Sequence, residues 1–150
     1  MRTSLSLLGA AVASVLLGPG CGEEPDRIVQ SQTADGAFAL TLEAQSRWAR
    51  PGERVPILVT LESLRGPVPA DLEEGIELVA DSGTVFPTLV VATLAGPDST
   101  GAGAQSRYAE WVVFTASATA DSRARGEVHA LFRDIEATVR IRITPADAGS

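Results

Sequence analysis

His129 and Cys21 are the only His and Cys in the 150-residue chain, which also lacks Lys and Asn. A serine-type triad would need His129 to meet a Ser and a carboxylate, and the sequence has no glycine-flanked serine elbow to present such a nucleophile. Within Glu127-Val128-His129-Ala130-Leu131-Phe132, alternation puts Val128, Ala130 and Phe132 on one face and His129 on the other,. His129 therefore reads as a surface histidine, of the kind that can sense pH. The acidic group Asp71, Glu73, Glu74 and Glu77 offers oxygens to calcium, which takes roughly six to eight. It lacks EF-hand spacing and reads as a solvated acidic loop. With 19 carboxylates in the chain, some pair suited to glycoside hydrolysis arises by chance, so spacing nominates none. Gly101-Ala102-Gly103 lacks the Lys and the following helix of a phosphate cradle and reads as a loop,. A zinc site wants three or four His, Cys or carboxylate ligands, and with one His and one Cys none is expected, nor any other cofactor.

Four aromatic residues are candidates for contact with a ligand. Trp48, Tyr108, Trp111 and Phe114 have the ring area for a carbohydrate- or peptide-stacking platform. Trp111 and Phe114 are three apart, so on a strand they take opposite faces; one is core and the other exposed or at a sheet edge. Trp48, just before Pro51-Gly52, is expected to plug one end of the domain. Arg140 and Arg142, with Arg133 and Arg107, suggest a basic stripe. Its simplest use is surface pairing with Glu136 or Glu127, which is worth little energy. Twelve Arg against 19 acidic residues leave a net charge of −7, which excludes the dense basic patch that nucleic acid requires.

Period-2 alternation must position these side chains. Phe38, Leu40 and Leu42 alternate with Ala39, Thr41 and Glu43. Val55, Ile57, Val59 and Leu61 share a face, with Leu58 an apolar interruption on the other. Ile135, Ala137, Val139, Ile141 and Ile143 alternate with five polar residues, the pattern of a strand with one face on a core and one in water. Pro- and Gly-rich breakers separate these runs. Seven strands are expected, near 38–45, 55–62, 75–81, 85–94, 108–117, 126–133 and 135–144, the pattern of an all-β sandwich. Pro56 implies an edge strand or a strand start, because it cannot donate to a ladder. Arg133-Asp134 marks a tight hairpin tip without the Gly such tips favour. Asp71–Gly75 has the look of a short helical turn capped by Asp71.

The first twenty residues, MRTSLSLLGAAVASVLLGPG, place Arg2 before the uncharged run Leu5–Leu17. That run suits the apolar core of a signal peptide and is shorter than the ~20 residues of a membrane-spanning helix. Small residues follow, Gly18-Pro19-Gly20, and then Cys21. An ordinary secretory cut near Gly20 would account for them. The run also resembles bacterial lipoprotein signal peptides, although Leu17 stands one place early and Gly18 fills the usual leucine position. The resemblance implies cleavage before Cys21 and a diacylglycerol on its sulfur, with each buried methylene worth about 0.8 kcal/mol. It implies a cell-envelope protein held to the membrane by its lipid. Gly22, in place of the Asp that retains some bacterial lipoproteins in the inner membrane, points to the outer membrane. Residues 21–36 would be the lipidated Cys and a flexible, largely polar spacer, and 37–146 the folded domain. A single Cys excludes an internal disulfide.

Ala49-Arg50-Pro51-Gly52-Glu53 before Val55–Leu61, the turn Arg65-Gly66-Pro67-Val68-Pro69, the strand Ile76–Gly83 and the closing hairpin Gly126–Ile143 together resemble bacterial immunoglobulin-like domains of the invasin type. The likeness spans residues 38–145 and implies an immunoglobulin-like β-sandwich of about seven strands. That family mixes adhesion, polysaccharide contact and spacing, so the fold lends little to function. The expectation is a non-catalytic envelope lipoprotein offering a surface, with Trp48, Tyr108 and Trp111 as contact candidates, to an envelope protein or a glycan. A small hydrolase or hydrolase accessory, and a purely structural spacer, are the alternatives.

Overall fold

The cleanest alternation becomes the best-paired hairpin. In the computed structural model, which describes residues 26–98, 104–120 and 124–144, Ile135, Ala137, Val139, Ile141 and Ile143 are all buried. They lie on the last of ten strands: β1 Ile28–Gln32, β2 Phe38–Ala44, β3 Trp48–Ala49, β4 Arg54–Ser63, β5 Leu72–Asp81, β6 Gly83–Phe86, β7 Leu89–Leu94, β8 Arg107–Ala116, β9 Arg125–Phe132 and β10 Ile135–Ile143. One sheet has the order β1-β2-β4-β8-β6 and the other β3-β10-β9-β5-β7. Every pairing is antiparallel except β3 with β10. Inward residues of both sheets form one buried hydrophobic cluster. No helix among the described residues is long and apolar enough to cross a membrane.

Phe114 is, with Phe132, one of the two largest fully buried side chains of this cluster, and two glycines make room for it. A β-carbon on Gly83 would meet Phe114 Cε2 at 2.5 Å, and one on Gly126 would overlap Cζ and meet Cε1 at 2.9 Å. Gly83 belongs to β6, in the sheet of Phe114, and Gly126 to β9 in the facing sheet. The ring therefore fills the interlayer space where both neighbours have given up a side chain.

Three expectations need correction. Residues 28–32, read as spacer, form β1 in register with β2, Ile28 opposite Glu43 and Gln32 opposite Ala39; the domain begins there and not at residue 37. Asp71–Gly75 is not a helical turn. Leu72 opens β5 and pairs with Leu94, and the inward alternation of Leu72, Glu74, Ile76 and Leu78 runs through it. Asp71 Oδ1 instead accepts a hydrogen bond from Gly96 N at 2.8 Å. The expected strand 85–94 is two strands in different sheets, because Pro87 interrupts pairing between Phe86 and Leu89,. Of the two placements open to Pro56, an edge or a strand start, the start is the one observed, because β4 is central. Pro56 lies near its start, just where the β2 ladder ends at Ala44 opposite Ile57. Gln45 N donates to Pro56 O at 2.9 Å, and the reciprocal bond that such a pair would exchange is the one proline cannot make.

The expected hairpin tip at Arg133-Asp134 is present, and its missing glycine has a counterpart. Arg133 takes φ 53°, a left-handed conformation that costs a side-chain-bearing residue roughly 1–2 kcal/mol. Its guanidinium offsets this. Nε donates to Glu74 Oε2 at 2.8 Å and Nη2 donates to Glu74 Oε1, while the group lies over the rings of Phe38 and Phe132, 4.7 and 5.2 Å from their centroids. Asp134 Oδ2 accepts from Ala34 N at 3.0 Å. One turn thus joins β5, β2 and the β1–β2 loop. Within that loop the buried Thr33 hydroxyl accepts from Ala37 N and Phe38 N and donates to Asp35 Oδ1 at 2.7 Å.

Two predictions follow from these contacts. Gly126→Ala overpacks the Phe114 pocket and lowers stability by ~1–3 kcal/mol; adding Phe114→Leu to that variant costs less than Phe114→Leu costs alone, measured as a double-mutant cycle by urea denaturation. The Arg133 hydrogen bonds hold the Glu74 carboxyl below its ordinary pKa of 4.5. A depressed folded pKa gives stability that is present above the unfolded value and lost as pH falls through the folded one. Glu74→Gln is therefore less stable than the parent at pH 7, and the two denaturation midpoints converge as the pH is taken well below 4.5.

Candidate functional site

The outer face of the β1-β2-β4-β8-β6 sheet carries apolar side chains where a solvated strand would carry polar ones. Trp111 on β8 lies opposite Leu58 on β4, and Val113 lies between Pro56 on β4 and Phe86 on β6. These five occupy two adjacent rows. Trp111 is 49% exposed and Phe86 78%; Leu58, Pro56 and Val113 are half-buried between and beside them. Thr84, Thr115 and Arg54 form the next row on one side, and Glu43 and Ile28 continue the Trp111 row on the other. Isolated exposed apolar residues are ordinary; these five form a contiguous group.

The aromatic residues singled out from the sequence do not come together. Phe114 is buried and Trp111 exposed, as their spacing requires. Tyr108 has the inward parity of β8 and packs against the core, its hydroxyl donating to Glu110 Oε2 at 3.3 Å. Burial, then the charge of Glu110, raises its pKa above the ordinary 10.0. Trp48 is on β3 in the other sheet and does not plug the domain end. Pairing with β10 turns Ala49 inward and leaves the indole 39% exposed, with the Arg142 guanidinium 5.0 Å from its ring centroid. A platform of Trp48, Tyr108 and Trp111 is not assembled. The partners of Trp111 are Phe86, Leu58, Val113 and Pro56, whose one sequence signal is apolar character on the parity opposite to the core.

The outer face of the other sheet mixes charged groups with the exposed aliphatics Val79, Leu89, Val91 and Leu131. His129 on β9 is flanked in register by Val79 on β5 and Thr138 on β10, with Asp81, Glu127 and Arg140 forming the next row. The ring is partly shielded, its side chain 22% exposed. Nδ1 is 2.6 Å from Glu136 Oε1 and 3.0 Å from Thr138 Oγ1. Nε2 is 3.5 Å from Asp81 Oδ2 and 3.8 Å from Glu127 Oε2. The other Glu127 oxygen accepts from Arg140 Nε at 2.8 Å. Thr138 Oγ1 donates to Glu136 Oε1 at 3.1 Å. Hydrogen bonds from His129 first, and then Thr138, lower the Glu136 pKa from its ordinary 4.5. One ligand atom each from Asp81, Glu127 and His129 lies within 4.8 Å of the others. The sequence places Thr138 beside His129 through the hairpin register, but Asp81 arrives from a strand far away in the chain.

The remaining candidates are dispersed. Of the basic stripe, Arg140 and Arg142 share the outer face of β10 and Arg125 is in register with Arg142. Arg133 is held by Glu74, and Arg107 is on the other sheet. The acidic group is divided: Glu74 meets Arg133, Asp71 meets the Gly96 amide, and Glu73 and Glu77 are exposed. An open depression of about 360 Å³ lies along Asp71, Leu72, Glu73, Thr93, Leu94, Ala95 and Gln105. Cys21 and Gly101–Gly103 lie outside the described residues. Comparison with protein-family models, with curated proteins and with solved structures gives no match to this chain in any of the three.

Both tryptophans are on outer faces, so each is open to a quencher. In the single-tryptophan variants Trp48→Phe and Trp111→Phe, acrylamide quenches the remaining indole with a constant near that of the urea-unfolded chain. A core tryptophan at either position would be several-fold less accessible.

Proposed function

We propose that this chain is a non-catalytic, lipid-anchored cell-envelope protein whose immunoglobulin-like β-sandwich binds a partner protein through the face bearing Trp111 and Phe86. The single observation that carries the contact role is the exposure of these two rings in adjacent rows of an otherwise aliphatic group. Aromatic residues dominate binding energy at protein interfaces when a partner encloses them. The aliphatic neighbours Leu58, Val113 and Pro56 favour a protein over a glycan, because they offer no hydrogen bonds to sugar hydroxyls. They also speak against a spacer, which gains nothing from exposed apolar area.

The immunoglobulin-like reading is supported by strand order. The run β2-β4-β8-β6 opposite β5-β9-β10 corresponds to the four-and-three arrangement of that fold. Anchorage is supported by the apolar run Leu5–Leu17 ahead of Cys21. With the lipid on Cys21 and β1 starting at Ile28, the domain would sit within ~25 Å of the bilayer, which suits a partner at the membrane surface. A non-catalytic role is supported at His129. The Thr138 hydroxyl gives its proton to Glu136, so the imidazole is not its base.

The test is site-specific photo-crosslinking in the native envelope with the full chain. A photoreactive phenylalanine at position 86 is expected to give one discrete protein adduct, and one at position 93, on the opposite sheet, none. Trp111→Ala with Phe86→Ala should weaken binding to the captured partner by about tenfold or more. Palmitate label on the chain should vanish in Cys21→Ser. Retention on cell-wall polysaccharide with no protein adduct would replace the protein partner by a glycan. Absence of palmitate in the parent would remove the anchor.

A further inference from the structure

We infer that Asp81, Glu127 and His129 form a binding site for a borderline divalent transition-metal ion, zinc above all, on the outer face of the β3-β10-β9-β5-β7 sheet. The site is built around the imidazole ring. Glu136 Oε1 stands 2.6 Å from Nδ1, and it also takes the Thr138 hydroxyl hydrogen. A carboxylate that accepts at this distance places a hydrogen on Nδ1, so Nε2 is the nitrogen turned toward a metal. Nε2 faces two further carboxylate oxygens, Asp81 Oδ2 and Glu127 Oε2. Three ligand atoms thus converge within 4.8 Å of one another, a set that a bound cation would hold together.

The spacing suits a metal. A charge-assisted N–H···O bond closes to about 2.7–2.9 Å, as the Glu136 contact on the same ring does. Nε2 stands off instead, at 3.5 and 3.8 Å from its two carboxylates. Two ligands of one tetrahedral zinc, each bonded at ~2.0–2.1 Å, lie ~3.3 Å apart. The two gaps to Nε2 are within about half an ångström of that separation. The surroundings fit as well. Arg140 Nε holds the second Glu127 oxygen at 2.8 Å, which orients the first, and the ligands come from two neighbouring strands locked in register. A nitrogen with two carboxylates suits zinc better than the all-oxygen preference of calcium or magnesium. The Asp81 side chain is 67% exposed, so a fourth position opens to water. Counting His and Cys residues along the sequence gives no zinc site; the register of β5 with β9 supplies the carboxylates that complete one.

His129 is the chain's only histidine, so its ring nitrogens report without ambiguity. The experiment titrates the full chain, ¹⁵N-labelled at histidine and purified in detergent, with zinc chloride at neutral pH. The expected result is a saturable shift of Nε2 while Nδ1 keeps its hydrogen, with one zinc bound per chain by calorimetry. Glu136→Ala should weaken that affinity about 10–100-fold, Asp81→Asn at least as much, and His129→Gln should abolish it. Any zinc taken by Cys21 is common to all these variants and drops out of the comparison. No Nε2 response in excess zinc, metal on Nδ1, or parent-like affinity in both Asp81→Asn and Glu127→Gln would overturn the site.

Discussion

The two layers are held at their spacing by one ring in a gap left by two glycines. Sheets packed face to face stand about 10 Å apart, and side chains from both must fill that slab without overlap. Phe114 reaches across from β8. Gly83 beside it and Gly126 facing it carry nothing that would compete for the volume. Around this point the inner faces are branched aliphatics and alanines, which pack against a pleated surface without losing much rotamer freedom. Apart from Glu74 on β5 and Glu110 on β8, inward parity is committed to this core, and the outward parity is left to carry most of what else the protein does.

That division explains why the two outer faces differ so much. On the β4-β8-β6 side, Trp111, Phe86, Leu58, Val113 and Pro56 make a surface with no polar obligations, ready to be covered. On the β5-β9-β10 side, His129 is surrounded by Asp81, Glu127 and Glu136, beside the exposed aliphatics Val79 and Leu131. The guanidinium of Arg133 ties the β9–β10 tip to β5 through Glu74 and to β2 through the Phe38 ring. The proposed contact surface and the proposed metal site lie on the outer faces of different sheets.

Much of this was legible before any coordinates. Alternation in 38–42, 55–61 and 135–143 named core residues that are all buried, because a half-solvated strand writes its inner face into every second residue. The hairpin tip at Arg133-Asp134 was legible from the register of the runs on either side. Leu58 was visible too, as the apolar residue out of phase with its strand. Its meaning was not, since nothing local says that Trp111 lies opposite it. The Asp71–Gly75 segment misled because Glu-rich sequence is compatible with a helix, while pairing with β7 and β9 outweighs so small a propensity. Residues 28–32 misled because an edge strand has only one partner and a polar outer row, which leaves a faint pattern.

By itself the sequence determined the all-β class, the inward face of the principal strands and the presence of an apolar run ahead of Cys21, since each is a matter of neighbours along the chain. Only the tertiary structure decided which strands share a sheet, that Pro87 divides one run between two sheets, that Trp48 and Trp111 are on opposite faces, and that Asp81 meets His129. The physical reason is that alternation reports which side of a strand is buried and is silent on which strand lies next to it. Neighbourhood is settled by register and by the fit of side chains such as Phe114 across the core, and both join residues distant in the chain.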